Sequence, residues 1–218
     1  MGTILASTLI AQASEIVQDE SNVVWGVPQA LRWLNSAQRA IVSLRPDASV
    51  INQSILLLAG TKQAITGLRL MSITRNMGVD GLTAGRAIRL IERGIKDEFN
   101  PDWHTDTAGT VVKEYIYDIR VPKEFYVWPP VDSSPDVYVE VQESINPADV
   151  AIGDPITLDD IYAPAIIEWI LYCFMSRDSE ETPNNSPGGA HFQAFNLLLT
   201  GKLSSDSGVN PKVRAHLE

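Results

Sequence analysis

The stretch EFYVWPPVDSSPDVYVEVQES, Glu124 to Ser144, decides how the chain is read. Two aromatic-rich segments flank Pro129, Pro130 and Pro135, and the second alternates Val137, Val139 and Val141. Alternation with a period of two marks a strand with one buried face, and proline belongs at the margins of a sheet because it has no N–H to donate. The stretch reads as strand, corner, strand. Upstream, VVKEYIYDIRV sets Val111, Tyr115, Tyr117, Ile119 and Val121 against Val112, Glu114, Ile116 and Asp118, a further strand pattern. LRLMSITRNMG sets Leu68, Leu70, Ser72 and Thr74 against Arg69, Met71, Ile73 and Arg75. NQSILLLAGTKQAI is an apolar run, a turn at Gly60-Thr61 and a short return, which reads as a hairpin. TAGRAIRLIERGIKDEF favours a helix over 87–99. A β-rich region over about 50–145 follows.

Helical patterns enclose it. Residues 3–18 put Leu5, Leu9, Ala13 and Ile16 on one face with Val17 beside it. Residues 28–44 begin with Pro28, suited to a first turn, and line up Leu31, Leu34, Ala37, Ile41 and Leu44 opposite Arg32, Ser36, Arg39 and Ser43. Over 158–178, Thr157 and Asp160 have capping-box spacing, with Asp in place of Glu. Pro164 marks a kink or the true first turn of this helix, and Ala165–Met175 is apolar on nearly every side. A final helix over 190–201 ends at Gly201, and 203–218 lacks the large apolar residues to fold alone. The expectation is an α+β fold: a helical bundle with an inserted β-rich region, a single domain over 1–202, and an extended C-terminal arm over 203–218.

The 218 residues are 44% hydrophobic and 20% charged, enough for a packed core, with a formal net charge of −10. Tight non-specific nucleic-acid binding draws on Lys and Arg that displace phosphate counterions, so this balance argues against it. The lone Cys173 sits in an apolar run and reads as a buried thiol. The N-terminus lacks the basic region of a signal peptide, and Ala6 stands where a myristoylation pattern needs Ser or Thr. The longest apolar run, 161–175, is short of the ~20 residues of a membrane span. The chain reads as soluble and non-secreted.

Catalytic and metal signatures do not emerge. His104, His191 and His216 share no ligand spacing. GVDGLTAGR lacks the Lys-Ser/Thr ending of a phosphate loop and reads as a turn. Asp159 with Asp160, and Asp178 with Glu180 and Glu181, read as caps and solvated charge. The sequence therefore points to no catalytic residue, no cofactor and no metal.

LRWLNSAQRAIVSLRPDAS, LLLAGTKQAI, LMSITRNMG, DEFNPDWHTD, YIYDIRVPKEFYVWPPV and LDDIYAPAIIEWILYCFMSRDSEET, in this order over about 27–200, resemble head-to-tail adaptor (connector) proteins of tailed bacteriophages. The resemblance implies a non-enzymatic virion protein at the head-tail interface, made in the host cytoplasm. It implies a self-assembled ring, usually twelve-membered, beneath the portal protein, receiving a tail nozzle, stopper or tube protein from below. DNA passes without specific binding, and no membrane is involved. Twelve copies at −10 carry about −120 formal charge, which would repel DNA from a channel wall. In this reading Leu203, Val209, Pro211, Lys212, Val213, Arg214 and Leu217 form a portal-docking arm. Phe125, Tyr126, Trp128 and Tyr138 are candidate ring or tail contacts, although the aromatics equally suit a local β core. Two rival readings are a monomeric ligand- or sugar-binding module using the β insertion, and a hydrolase using scattered carboxylates.

Overall fold

A computed structural model of the chain describes residues 2–176 and 187–209. The elements run α1 (Ala6–Ile16), α2 (Val27–Leu44), β1 (Val50–Leu56), β2 (Gly60–Ala64), β3 (Arg69–Asn76), β4 (Arg89–Leu90), α3 (Arg93–Phe99), β5 (Glu114–Tyr117), β6 (Glu124–Val131), β7 (Tyr138–Ser144), α4 (Ala163–Ser176) and α5 (Pro187–Val209). The fold is α+β, and the chain divides into two compact units. Met1–Ala48 and Pro147–Glu218 make a helical unit, and Ser49–Asn146, inserted between them, makes a β-rich one.

In the helical unit α4 packs against α1, α2 and α5. Its Ile166, Ile170, Leu171 and Phe174 are buried with Leu9 and Ile10 of α1, Trp33, Leu34 and Ile41 of α2, and Phe195 and Leu199 of α5. Phe174 meets the edge of Trp33 at 4.9 Å between ring centres. The nearly all-round apolarity of α4 is thus answered by helices on several sides. Pro164 lies in the first turn of α4, where its missing N–H costs nothing. Both leading helices are rotated from their expected faces. Ala6 and Ile10 are buried in α1 while Ile16 is exposed, and Ala30, Trp33 and Val42 are buried in α2 while Leu44 is exposed.

The rotation of α2 buries two polar residues, Asn35 and Gln38, which hold the return strand of chain from the insertion. Asn35 donates Nδ2 to the Val150 carbonyl at 3.2 Å and accepts the Val150 N–H at 3.0 Å. Gln38 Oε1 accepts the N–H groups of Thr157, at 2.7 Å, and Leu158, at 3.2 Å. The expected capping box does not form. Asp159 caps the 3-10 turn Asp160–Tyr162 through the Ile161 N–H at 3.0 Å. Asp160 instead accepts from Thr3 N and Oγ1, at 2.7 and 2.6 Å, and from Ile4 N at 3.1 Å, tying down the N-terminal segment. The Thr3 hydroxyl, followed by the two backbone donors, holds the Asp160 carboxyl below its ordinary range. The last helix begins before residue 190 and runs through Gly201 to Val209, because one glycine weakens a helix by only about 1 kcal/mol and need not end it. At its start, Gly188 is required: a Cβ there would lie 2.5 Å from Ser176 Oγ.

The β unit is built on a ribbon. β1 pairs antiparallel with β7 and β2 pairs antiparallel with β6, so residues 50–64 run back along 124–144. The expected hairpin within 52–65 is therefore corrected: each half finds its partner in the Glu124–Ser144 stretch rather than in the other. Both strands of the ribbon turn the corner together, at 57–59 and 132–137, and pass from one sheet to the other. Gln63 fixes that corner, donating Nε2 to the Leu58 carbonyl at 2.7 Å and accepting the Leu58 N–H at 2.8 Å. The strand continues through Pro129 and Pro130, which serve as acceptors only; Gly109 N–H donates to the Pro130 carbonyl at 2.8 Å. The sheets are ordered β1-β7-β3 and β2-β6-β5-β4. They share one core, including Leu70, Ile73, Tyr115, Phe125, Val127, Val139 and Val141. Leu70 and Ile73, expected on opposite faces, are both buried because β3 carries two bulges, each of which resets the alternation. Residues 87–92 are not helical: β4 pairs in parallel with β5 before α3 begins at Arg93.

Replacing Gln38 by Leu preserves volume and strands the Thr157 and Leu158 N–H groups. At roughly 1–3 kcal/mol for a stranded buried group, Q38L is expected to lower unfolding free energy by about 2–4 kcal/mol, read from urea denaturation.

Candidate interaction surfaces

The excursion between β4 and β5 contains most of the unusual side chains of the β unit. Trp103 is fully buried, and its Nε1–H donates to Asp97 Oδ1 at 2.8 Å. Its ring stacks on His104 at 3.6 Å and meets the edge of Tyr126 at 6.0 Å. His104 Nδ1 lies 2.9 Å from Thr61 Oγ1. Trp128 donates Nε1–H to Asp106 Oδ2 at 2.7 Å, and Asn100 Nδ2 donates to the same oxygen at 2.7 Å. Lys96 lies with Nζ 3.4 Å from the centre of the Trp128 ring and 2.8 Å from Glu114 Oε2, and its side chain is almost wholly buried. The motif DEFNPDWHTD is thus a strap laid over β6, held by the aromatics that face outward from that strand.

This places the four aromatics singled out in the sequence. Phe125 is fully buried in the core of its own sheet and presents no surface to a partner. Tyr126 and Trp128 are half-buried beneath the strap, with Arg93 5.5 Å above the Tyr126 ring. Tyr138 is half-buried under a turn at 78–85, where Gly81, at φ +69°, lies so close that a Cβ would sit 3.1 Å from the Tyr138 ring. That turn is the glycine-rich GVDGLTAGR. Asp80 holds it by accepting Leu82 N–H, Thr83 N–H and Thr83 Oγ1–H, at 3.0, 2.9 and 2.8 Å, and these donors bring its carboxyl down to about 2. Buried Asn76 ties the base of the turn to the start of β5, donating to the Arg86 and Val112 carbonyls and accepting the Val112 N–H.

The same region exposes several large apolar side chains among charged ones. Leu82 at the turn tip is 82% exposed and Phe99 at the end of α3 is 83% exposed; Val79, Leu90 and Ile95 are also exposed. None of these was singled out in the sequence, because exposure is a tertiary property. In the helical unit, α5 exposes Phe192, Leu197 and Leu198.

A cleft of about 600 Å³ opens beside β5, lined by residues including Arg93, Ile116, Asp118, Arg120 and Tyr126. Two of its charges, Asp118 and Arg120, engage each other. Arg120 grips Asp118 through Nε and Nη2, at 3.0 and 2.7 Å, and that guanidinium brings the Asp118 carboxyl down to about 2. Arg93 reaches Asp97 at 3.4 Å. Among the described residues no cluster of His, Cys, Asp or Glu has metal-binding geometry. Burial pushes the half-buried Cys173 thiol up to about 11, so it is protonated at neutral pH. His191 Nδ1 lies 2.7 Å from Glu168 Oε2, within the helical unit. His216, Asp178, Glu180 and Glu181 lie outside the described residues. So do Pro211, Lys212, Val213, Arg214 and Leu217 of the expected arm, whereas the backbone at Leu203 and Val209 belongs to α5. No described helix is long and apolar enough to cross a membrane.

The indole of Trp128, followed by the Asn100 amide, lowers the Asp106 pKa from 3.8, and Trp103 does the same for Asp97. Depressed carboxyls stabilise the strap fully above the ordinary value of 3.8 and lose that contribution as pH falls through the depressed one. The indole N–H resonances of Trp103 and Trp128 are therefore expected to shift together on acidification below pH 4. W128F removes the first donor, so the Trp103 transition is expected to move to higher pH.

No curated protein matches this chain. Residues 4–214, however, match the family described as SU10 adaptor protein. The chain belongs to the SU10 adaptor protein family and is a bacteriophage adaptor-type structural protein.

Proposed function

We propose that this chain is the subunit of a ring that joins the portal vertex to the tail and lets DNA pass. The observation that carries the reading is the set of large apolar side chains exposed over 79–99, Leu82 and Phe99 foremost, on a chain of net charge −10. A strongly charged protein keeps apolar patches on show where a partner covers them. The β unit then serves as a docking platform towards ring neighbours or a tail protein. Tyr126 and Trp128 contribute indirectly, by holding the strap that carries Phe99. The role is non-enzymatic: the bonded carboxylates shape turns and straps, and the one thiol is protonated. Site chemistry does not favour the ligand-module reading, since in the cleft beside β5 Asp118 and Arg120 are paired to each other, and Arg93 and Glu124 are bonded to Asp97 and Lys62.

Ring neighbours are expected to bury well over ~1,000 Å² per contact. L82D/F99D should leave thermal unfolding nearly unchanged and cut ring yield on isolated portals at least ~10-fold, as read by negative-stain imaging. Equal ring yield would remove the platform from the reading.

The C-terminal residues beyond α5 are proposed as the lock to the portal, with Lys212 and Arg214 facing acidic groups there. Deleting 210–218 removes nothing from the described fold, so the truncated chain should fold normally and lose stable attachment to portal. Truncated protein that still assembles on filled heads, which then retain their genome, would refute the lock. The acid balance further leads us to expect no appreciable duplex binding at physiological salt; submicromolar affinity in a gel-shift assay would contradict an acidic channel.

A further inference from the structure

The outer strands of the two sheets are β1, β3, β2 and β4, and three of them are defended against pairing. β3 is broken by two bulges and carries Arg69 and Arg75, and residues 85–88 bond back to it. β2 has a register shift and exposed Lys62. β4 is two residues long and contains Arg89. Bulges, cationic side chains and shortness are the usual means of keeping a free edge from acquiring another chain. β1 has none of them. Its seven residues, VINQSIL, run in unbroken register along β7, contain no charge and no proline, and pair with no other strand on the outer side among the described residues. Ile51 and Ile55, on the side of the strand that faces the core, are only half-buried, and Val50 and Leu56 on the other side are exposed.

The sequence of β1 also matches itself in reverse. An antiparallel copy centred on Gln53 sets Val50 opposite Leu56, Ile51 opposite Ile55, Asn52 opposite Ser54, and Gln53 opposite itself. Apolar meets apolar and polar meets polar on both faces, and opposed residues share a face. Sliding the copy by two residues sets Val50 against Ser54 and Ile51 against Gln53, so the centred register is distinguished from its neighbours. The contact brings no like charges together, although each chain carries −10.

We propose that β1 is the pairing edge for a second copy of this chain, in antiparallel register about a two-fold axis at Gln53. Two three-stranded sheets become one sheet of six strands, and the isoleucines at the edge of each core are covered. A two-fold contact is complete with two copies, whereas a closed ring of many copies uses a different, head-to-tail contact. The β1 pair therefore belongs to the free protein, and it stands whether or not the ring reading does.

Sedimentation velocity of the full chain, up to millimolar concentration, is expected to show a reversible monomer–dimer equilibrium. V50K/L56K places ammonium groups opposite each other at both ends of the paired strands and should weaken the dimer about 10-fold or more. V50E/L56K places a carboxylate opposite an ammonium at both ends only in the antiparallel register, and should bring affinity back to within about threefold of the unmodified chain. In the unmodified chain, amide exchange along 50–56 should slow as the dimer fraction rises. A monomer at every concentration overturns the proposal and leaves the edge to a strand of another protein. So does a dimer that V50E/L56K weakens as much as V50K/L56K, or one that leaves exchange along β1 unchanged.

Discussion

The β unit depends on one constraint: residues 50–64 and 124–144 must turn the same corner together. A two-stranded ribbon that bends between sheets has to satisfy its backbone on both sides of the bend. The chain does this with Gln63, whose amide takes both polar groups of Leu58. Everything else in the unit is attached to one arm of the ribbon. β3 adds to β7 with bulges that turn two isoleucine-class positions inward, and β5 adds to β6, carrying β4 and the strap with it. Without the shared corner, Phe125 and Val127 on one arm would not reach the same core as Val139 and Val141 on the other.

Much of this was legible in the sequence because it is local. The period of 3.6 in 28–44 and the period of two in 137–141 each depend on neighbours within a few residues, and Pro164, open between a kink and a first turn in the sequence, lies in the first turn. Element type survived wherever the periodic run was long. What failed were pairings and rotations. The Gly60 turn looks like a hairpin from either side, and only the presence of a better partner sixty residues away makes it a corner instead. α2 is rotated from its expected face because the chain returning at 148–158 supplies N–H and C=O groups that bond to Asn35 and Gln38 in the core. The absent capping box has the same origin: Asp160 finds three donors at Thr3 and Ile4, and Asp159 takes over the cap.

The surfaces were legible in part. The aromatics of 125–138 drew attention, yet the structure uses Phe125 as core and Tyr126 and Trp128 as pegs for the strap. The residues that do face outward lie at ends and tips, Leu82 in the GVDGLTAGR turn and Phe99 at the last position of α3, where local pattern gives little reason to prefer burial or exposure. Asp80 and Asp106 show how such stretches are kept in shape. Each carboxylate gathers two or three donors, Asp80 within its own turn and Asp106 from Asn100 and from Trp128 of β6, and so helps to fix a turn or a strap. An apolar tip can then stay exposed on a rigid support.

That economy bears on assembly. An adaptor subunit has to be soluble alone and adhesive in company, and these demands meet at its edges. Net charge of −10 supplies long-range repulsion, which salt screens within about a Debye length of 10 Å at 0.1 M. Contact at shorter range is then decided by local features. Three of the four outer strands are closed to pairing by bulge, charge or shortness, and the fourth is neutral and straight. Its neutrality lies in the same unit as the exposed apolar tips at 82 and 99, so the inserted β unit, rather than the helical one alone, holds features suited to contact with other chains.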